Sequence, residues 1–242
     1  MTHPLSGKRA FVTGGSRGIG AAIVRRLAAD GATVAFTYVS APDRAAALEA
    51  ELEGRAFALR ADSADADALR AAVAQGAMRL GGLDILVNNA GVLVHDDIAA
   101  IGLDRFDHIL AVNVRAVFVG TQAALAHLGE GGRIVNIGSI AGERALFPGN
   151  SVYSMTKGAV AAFTRGLARD VAQRGITANN VQPGPTDTEI TNAETQAMIA
   201  PMMPIGRLGQ GAEVAALVAW LCTKEAAFVN GSSLTVDGGF AA

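Results

Sequence analysis

A tyrosine and a lysine four residues apart, Tyr153 and Lys157, form the pair in this chain whose types and spacing could do chemistry. On a helix, side chains four positions apart lie one turn apart on the same face. A phenol titrates near pH ~10, and a nearby ammonium group favours the phenolate and lowers that pKa. Such a phenol could give or take a proton at an alcohol or carbonyl near neutral pH. An unrelated tyrosine and lysine on a surface helix would give the same pattern.

A glycine-rich loop near the N-terminus is a second candidate site. A predicted strand over 9–13 leads into Gly-Gly-Ser-Arg-Gly-Ile-Gly at 14–20, an amphipathic helix over 21–29 and a second strand over Thr33–Tyr38. This order predicts a βαβ unit, in which glycines let the backbone approach a pyrophosphate at the helix N-terminus. The spacing is G-x-x-x-G-x-G rather than the commoner G-x-G-x-x-G. Its context favours a dinucleotide site, although turns use glycine in any case.

The end of the second predicted strand favours NADP over NAD. NAD-binding units usually carry an acid there, which holds the ribose 2′-hydroxyl, whereas residues 37–40 are Thr-Tyr-Val-Ser. A 2′-phosphate could be accommodated beside them and pair with Arg17 in the glycine loop, and Arg44 follows the strand. Arg17 could also be a solvated loop residue.

Polar residues follow several later predicted strands. The third strand closes on Asp62, which could accept from an adenine amino group or, with Ser63, cap the next helix. The run 83–91 ends in Asn-Asn-Ala-Gly, whose carboxamides could fix a loop facing a cofactor or could form only a turn. A strand over 132–139 delivers Ser139 to the sheet edge at which ligands bind in open parallel sheets.

Two further segments have more than one interpretation. Asn113 lies among apolar neighbours in a long helical pattern over 103–128. Its side chain competes with the backbone for hydrogen bonds, so it could bend the helix, hold a water or be an ordinary polar position. The weakly periodic stretch 186–203 suits a mobile substrate lid over about 186–205, or a plain surface connection.

Strands and helices alternate throughout, which predicts one domain over 1–242. We expect an α/β, Rossmann-type, doubly wound parallel sheet with helices on both faces. Half of the 242 residues are hydrophobic, which allows a large buried core. The fold should therefore bring the ends of the predicted strands to one edge.

The overall charge and hydropathy pattern exclude several classes of partner. A net charge of −2 without a basic tract argues against binding to nucleic acid or to anionic membranes. We see no apolar signal region and no run of membrane-spanning length, and expect a cytoplasmic protein. Cys222, the single cysteine, excludes an intrachain disulfide and lies in an apolar run that predicts a buried thiol. We predict no metal site.

Together these motifs resemble the short-chain dehydrogenase/reductase family in their order and approximate spacing. The matching elements are the glycine loop after Thr13, Asn-Asn-Ala-Gly at 88–91, Asn113, Ser139, Tyr153 with Lys157, and Pro-Gly-Pro-Thr-Asp-Thr at 183–188. The sequence is most similar to the bacterial carbonyl-reductase branch, which includes 3-oxoacyl-carrier-protein reductases.

The resemblance implies roles for the matching catalytic positions. Tyr153 would exchange the proton, and Lys157 would lower its pKa and bind the nicotinamide ribose. Ser139 would bind the substrate oxygen. Asn113 would hold a water in a proton relay behind Lys157. The hydride itself would come from the cofactor.

The resemblance also implies the cofactor contacts. Residues 14–20 would carry the pyrophosphate, with Arg17 on the 2′-phosphate, and Asp62 would face the adenine. Residues 89–91 would contact the ribose, and 183–188 the nicotinamide amide. The predicted cofactor contacts, besides Tyr153 and Lys157, are Gly14, Ser16, Arg17, Gly18, Ile19, Gly20, Tyr38, Ser40, Asp62, Ser63, Asn89, Ala90, Gly91, Pro183, Gly184, Thr186 and Thr188.

The implied activity is hydride transfer between NADP(H) and a carbonyl or secondary-alcohol substrate, as in a ketone reductase. Ser139 and Tyr153 are one residue further apart than is commonest, which affects the pocket-lining loop more than the chemistry. Glu130 stands where carrier-protein reductases often have a basic residue, although Arg174 is retained, and this favours a free ketone. The alternatives are a 3-oxoacyl-carrier-protein reductase and a non-catalytic nucleotide-binding sensor that retains the pocket.

The expected partners are the substrate and further copies of this chain. Helices around 103–128 and 152–174 carry many small apolar residues, which could pair across a homotetramer or pack on the sheet. In the pocket, His95 and Arg144 would suit a polar or anionic group, or could be solvated loop residues. The predicted lining is Leu93, His95, Ile140, Arg144, Leu146, Asn150, Ile190 and the methionine-bearing lid.

Overall fold

The computed structural model describes residues 3–145, 147–188 and 193–242. Its strands are β1 Arg9–Val12, β2 Thr33–Tyr38, β3 Ala56–Arg60, β4 Leu83–Asn88, β5 Leu128–Ile137, β6 Thr177–Pro183, β7 Thr186–Asp187, β8 Gly209–Gln210 and β9 Ser233–Val236. Seven strands form one parallel sheet in the order β3-β2-β1-β4-β5-β6-β9, and β7 pairs only with β8. The strand order reverses between β1 and β4, and in such sheets ligands bind beyond the strand ends at that point.

The helices cover both faces of this sheet. They are α1 Gly18–Ala29, α2 Pro42–Glu51, α3 Ala66–Leu80, α4 Leu103–Leu110, α5 Ala116–Leu125, α6 Ser151–Val171, α7 Ala193–Ile199 and α8 Gly211–Leu221. One core packs α1 and α8 on the sheet, and the other packs α3, α5 and α6 on its opposite face. Within β1, Phe11 faces the second core and Val12 the first, as expected of a strand buried on both sides. The predicted doubly wound α/β fold is confirmed.

The long helical pattern around Asn113 is one continuous helical rod with a change of pitch. A π turn at Ala111–Arg115 separates α4 from α5. Such turns insert an extra residue into a helix and are frequent at functional sites. The combined helix Leu103–Leu125 is also long and apolar enough to cross a membrane, contrary to the expectation that no run approaches that length. Its most apolar window is 56% buried, and α5 packs in the second core, as a core helix does.

Two predicted element ends differ in the structure. Strand β5 begins at Leu128 and ends at Ile137, so Ser139 lies just beyond the strand and caps a short 3₁₀ turn, Ile140–Gly142. The cap of α3 is Asp65, which accepts from the N–H groups of Asp67 and Ala68 at 2.9 and 3.0 Å. Asp62 accepts instead from the N–H of Ala64 at 2.8 Å. The capping carboxylate must sit immediately before the first helical turn, and residue 65 holds that position.

Candidate functional site

The glycine loop after β1 depends on glycine for close packing and for backbone conformation. Gly14 and Gly18 have φ values of +64° and +53°, in the left-handed region that glycine adopts most readily. A Cβ on Gly20 would lie 2.1 Å from the carbonyl oxygen of Gly14, so α1 can begin against the loop only with glycine there. The result is a backbone cradle at the N-terminus of α1, where N–H groups and the helix dipole favour an anion.

Three side chains lock this loop to the neighbouring strands. The hydroxyl of Thr13 accepts from the N–H groups of Asn89 and Ala90 at 2.9 and 3.0 Å. The carboxamide of Asn89 donates to the carbonyl oxygens of Thr13 and Gly14 at 3.0 and 2.9 Å. On the other side, the hydroxyl of Thr37 accepts from the N–H of Gly14 at 2.9 Å. The Asn-Asn-Ala-Gly turn therefore fixes the glycine loop, as its carboxamides suggested.

The remaining predicted cofactor contacts lie along the same sheet edge. Arg17 is exposed, and its backbone is extended where it precedes α1. Thr188 approaches Gly18, since a Cβ on that glycine would be 3.6 Å from the Thr188 methyl group. The segment that follows β6 thus reaches the glycine loop. Exposed positions are Arg17, Ser40, Asp62 and Gly91; half-buried ones are Gly14, Ser16, Gly18, Ile19, Tyr38, Asn89, Ala90, Gly184 and Thr188; buried ones are Gly20, Ser63, Pro183 and Thr186.

These residues fit a dinucleotide. Gly14 and Gly20 let the loop pack directly against residues 89–90 and against itself, because a Cβ at either position would collide with those atoms. Arg17 is exposed at the point where the loop meets α1. In the described ranges, by contrast, no group of three or more His, Cys, Asp or Glu residues could hold a metal ion.

The side chains of Ser139 and Tyr153 are neighbours, and the serine hydroxyl acts to lower the pKa of the phenol. Ser139 comes from the end of β5, and Tyr153 from the first turn of α6. The serine hydroxyl also accepts from the N–H of Ala141 at 3.1 Å, which holds it at the start of the 3₁₀ turn. The phenol and the serine hydroxyl therefore lie next to each other at the carboxyl end of the sheet.

Lys157 lies one turn further along α6, as the spacing predicted. It is buried, and its ammonium donates to the carbonyl oxygen of Ile137 at 2.9 Å. Burial lowers the pKa of Lys157 to about 8. Its Nζ is 5.7 Å from the centroid of the Tyr153 ring.

The pKa of the tyrosine differs from the expectation. Burial raises the pKa of Tyr153 above its usual value, and the neighbouring hydroxyl of Ser139 opposes this only in part. The net shift is opposite to the expected lowering, because desolvation of the phenolate outweighs the other effects. The lysine bonds to Ile137 rather than to the phenol.

Asn113 is buried in the π turn and binds the loop that follows β4. Its carboxamide oxygen accepts from the N–H of Val92 at 2.8 Å, and its amide donates to the Val92 carbonyl at 2.9 Å. The amide also donates to the hydroxyl of Thr156 at 3.1 Å. A Cβ on Gly91 would be 3.5 Å from both Asn113 Oδ1 and Lys157 Nζ. Asn113 and Lys157 therefore approach each other beside Gly91, at the end of the sheet.

The predicted pocket lining is brought together in part. His95 Nδ1 lies 3.1 Å from the side-chain oxygen of Asn150, which joins the loop after β4 to the start of α6. Ile140 is buried, whereas Leu93 and Arg144 are exposed. Predicted lining residues Leu146 and Ile190 fall outside the described residues.

Several buried polar residues around the site, among them Thr121, Asn136 and Gln182, were not singled out from the sequence. Asn88 donates to Thr121 and Asn136 at 3.0 and 2.8 Å, which links β4 to α5 and β5. On β6, Gln182 donates to Glu143 at 3.0 Å. The available signal was the presence of carboxamides inside apolar strands, where each buried amide needs a partner.

The chain is similar to known proteins over nearly its whole length. A family model described as Enoyl-(Acyl carrier protein) reductase matches residues 14–241. The chain is 44% identical to the cyclic-di-GMP-binding biofilm dispersal mediator protein of Escherichia coli (strain K12), over 98% of each chain. It is 51% identical to a short-chain dehydrogenase/reductase from Serratia marcescens BCRC 10948, with a TM-score of 0.96, over 99% of this chain and 100% of that one. A short chain dehydrogenase from Burkholderia cenocepacia J2315 in complex with NADP gives 51% identity, the same coverage and a TM-score of 0.95.

Proposed function

This chain belongs to the short-chain dehydrogenase/reductase family, and we propose that it is an oxidoreductase that transfers a hydride between NADP(H) and a ketone or secondary alcohol. The observation that carries the proposal is the placement of Tyr153 and the buried Lys157 one turn apart on α6, with the Ser139 hydroxyl close enough to influence the phenol. All three lie at the sheet edge that also holds the glycine loop. A proton donor and an oxygen-binding hydroxyl thus face the place where a hydride donor would bind.

The proposed chemistry assigns one task to each of these side chains. NADPH supplies the hydride when it is bound. Tyr153 gives its proton to the oxygen that becomes the alcohol, and Ser139 holds that oxygen by a hydrogen bond. Lys157, with a pKa of about 8, is largely protonated at neutral pH and stabilises the phenolate left behind. Asn113 holds the loop at Val92 and takes part in the return of the proton.

The preference for NADP rests on Arg17 and on the absence of an acid at residues 37–40. It agrees with the NADP present in the Burkholderia relative. A guanidinium binds a phosphate with paired, charge-assisted hydrogen bonds. We expect Arg17→Ala to weaken NADPH binding more than NADH binding, and an equal loss for both cofactors would contradict this role.

The proposed substrate is a free ketone rather than a carrier-bound acyl group. Arg174, the retained basic residue, bonds the carbonyl oxygens of Leu125 and Leu128 at 3.1 and 2.5 Å, so its guanidinium is engaged within the fold. Glu130 beside it is acidic and exposed, and would repel an acidic carrier protein. A 3-oxoacyl-carrier-protein reductase stays as the alternative within this reaction class, and an acyl-carrier thioester belongs in the substrate panel.

A substrate panel tests the activity. Purified protein is mixed with NADPH or NADH and with simple ketones, aldehydes and β-keto esters, and cofactor oxidation is followed by the loss of its near-ultraviolet absorbance. We expect turnover with NADPH and the loss of nearly all of it in Tyr153→Phe, which keeps the ring and removes the proton. Full activity in that variant would contradict the assignment of Tyr153 as the proton donor.

A non-catalytic sensor is the second candidate, and the name of the Escherichia coli relative favours it. That protein is named for binding cyclic di-GMP and for mediating biofilm dispersal. The four clustered residues Asn113, Ser139, Tyr153 and Lys157 favour the enzyme, because a binding protein has no evident need for all of them. Tight NADPH binding with no oxidation across the whole panel would favour the sensor.

We also propose a cytoplasmic homotetramer. On the outer surface, Phe118 of α5 and Phe163 of α6 pack edge to face with ring centroids 6.4 Å apart. Phe118 and Met155 are each nearly half exposed, and a second copy of the chain would cover them. Light scattering is expected to give four chains, and a monomer that persists at high protein concentration would contradict this.

We further propose that the chain forms one domain, in which the segment over about 186–205 acts as a lid. Near the end of that stretch Met203 is buried, and a Cβ on Gly238 would lie 2.6 Å from the Ile205 side chain. Thr188, near its start, approaches Gly18. These contacts support a cover over the cofactor cradle, and proteolysis within the segment should slow when NADPH is bound.

A further inference from the structure

The segment that carries Ser139 is held at three points. The N–H of Gly138 donates to the carbonyl oxygen of Val181 at 2.7 Å, which extends the pairing of β5 with β6. Gly142 packs on α6, since a Cβ there would lie 2.8 Å from the backbone carbon of Lys157. The third point is the side chain of Glu143, which accepts a hydrogen bond from Gln182 at 3.0 Å.

The side chain of Gln182 on β6 is buried and is held in place for its hydrogen bond to Glu143. It is 1% exposed, and its carboxamide oxygen accepts from the hydroxyl of Thr235 on β9 at 3.4 Å. That contact directs the amide nitrogen towards Glu143. A hydrogen bond to a carboxylate is about twice as strong as one between neutral groups. Among the described residues, no other side chain hydrogen-bonds to Glu143.

We propose that Gln182 is a positioning residue for Ser139 and that it acts through Glu143. The inference rests on the proposed function, because it concerns the hydroxyl that binds the substrate oxygen. Ser139 and Glu143 flank the 3₁₀ turn Ile140–Gly142. Loss of the hydrogen bond between Gln182 and Glu143 therefore allows this turn to move relative to the end of β5. Ser139 then loses its alignment with Tyr153. The glycine loop that forms the cofactor cradle follows β1 and does not contact Glu143 or Gln182.

The test separates positioning from folding by comparing four variants. Gln182→Met keeps the length and burial of the side chain and removes its donor, and Glu143→Ala removes the acceptor. The third variant combines both changes. Glu143→Gln is the conservative change, because its amide oxygen still accepts from Gln182. Glu225→Ala, an exposed glutamate between α8 and β9, is the matched control for loss of a surface carboxylate.

For each variant kcat and KM are measured with NADPH and ethyl acetoacetate, or with the panel ketone that wild type reduces fastest, together with the NADPH Kd and the midpoint of thermal unfolding. We expect kcat to fall about tenfold in Gln182→Met and in Glu143→Ala, since small misplacements of reacting groups carry losses of this order. The double variant should fall no further. Glu143→Gln and the control should keep the wild-type kcat, and the NADPH Kd should not change.

Three outcomes would overturn the proposal. The first is an unchanged kcat in both single variants. The second is losses that multiply in the double variant, which would mean that the two residues act separately. The third is a fall in kcat that Glu143→Gln shares or that follows a lowered midpoint of unfolding. Absence of turnover in wild type would overturn the proposed function as well, whereas wild-type turnover with any of these three outcomes overturns the positioning role alone.

Discussion

The side-chain amide of Asn113 donates a hydrogen bond to the hydroxyl of Thr156 at 3.1 Å, which ties the π turn to α6. Thr156 is fully buried and donates in turn to the backbone carbonyl of Tyr153 at 2.7 Å. At its other end the carboxamide binds both backbone groups of Val92. A continuous chain of hydrogen bonds therefore joins the loop after β4, the π turn and the helix that carries the tyrosine.

Removal of the Thr156 hydroxyl should destabilise the fold more than removal of its methyl group. Thr156→Val keeps the shape and leaves one N–H of Asn113 buried without an acceptor, at a cost of about 2 kcal/mol. Thr156→Ser keeps the hydroxyl and loses one methyl group, at about 1 kcal/mol. Urea unfolding of both variants measures the difference. Equal stability of the two would mean that the hydrogen bond contributes nothing.

The sequence predicted the fold and the grouping of the site because both follow from strand order. Alternating strands and helices imply a parallel sheet, and parallel strands bring their ends to one edge. This is why residues as far apart as Gly14, Asn89, Ser139 and Tyr153 could be assigned to one site before any coordinates. The glycine spacing also predicted the tight loop, since Gly14 and Gly20 pack against each other there.

The features that the sequence did not predict depend on distances between side chains. The direction of the Tyr153 pKa shift is set by burial, which outweighs the opposing effect of Ser139, and the degree of burial cannot be obtained from spacing along a helix. The π turn at Asn113 and the bond from Gln182 to Glu143 arise from packing between elements that are distant in the chain. As a polar residue among apolar ones, Asn113 indicated an unusual position in the helix. The sequence did not indicate its hydrogen-bond partners.

Gly20→Ala should abolish the cofactor cradle. The new methyl group would lie 2.1 Å from the Gly14 oxygen and 2.5 Å from the Asn89 amide nitrogen, so the hydrogen bond between those groups must break. We expect NADPH to bind at least ~100-fold more weakly, equivalent to about 3 kcal/mol, by fluorescence titration.

Gly166→Ala is the control for that substitution. Gly166 is an exposed residue within α6, and nothing lies within 4 Å of a Cβ placed on it. Alanine is favoured over glycine in a helix by about 1 kcal/mol, so this variant should be slightly more stable and bind NADPH as wild type does. Similar NADPH affinities in the two variants would show that the cradle does not need glycine.

The thiol of Cys222 should be inert in the folded protein. Burial raises its pKa to about 12, and the thiolate is the reactive form. As the single cysteine, it gives an unambiguous count of labelled sites. We expect iodoacetamide to leave the native protein unlabelled at mildly alkaline pH and to label one site in urea. Native labelling at the rate of the urea sample would mean that the thiol is accessible.

The burial of Lys157 should give this residue a distinct effect on stability at alkaline pH in the cofactor-free protein. Its pKa is about 8 when folded and 10.5 when exposed, so between these values the unfolded chain holds a proton that the folded protein has lost. Stability then rises with pH across this window, by on the order of 3 kcal/mol for a shift of this size. Lys157→Met keeps the length of the side chain and removes its titrating amine.

The measurement is the free energy of unfolding of wild type and Lys157→Met, by urea titration from neutral pH to above the upper value. Because Cys222 and the other titrating groups are common to both proteins, their contributions largely cancel in the difference. We expect wild type to gain stability relative to the variant as the pH rises through the window, and to show a constant difference below it. A difference that stays flat throughout, or that moves in the opposite direction, would mean that the ammonium is not destabilised by burial.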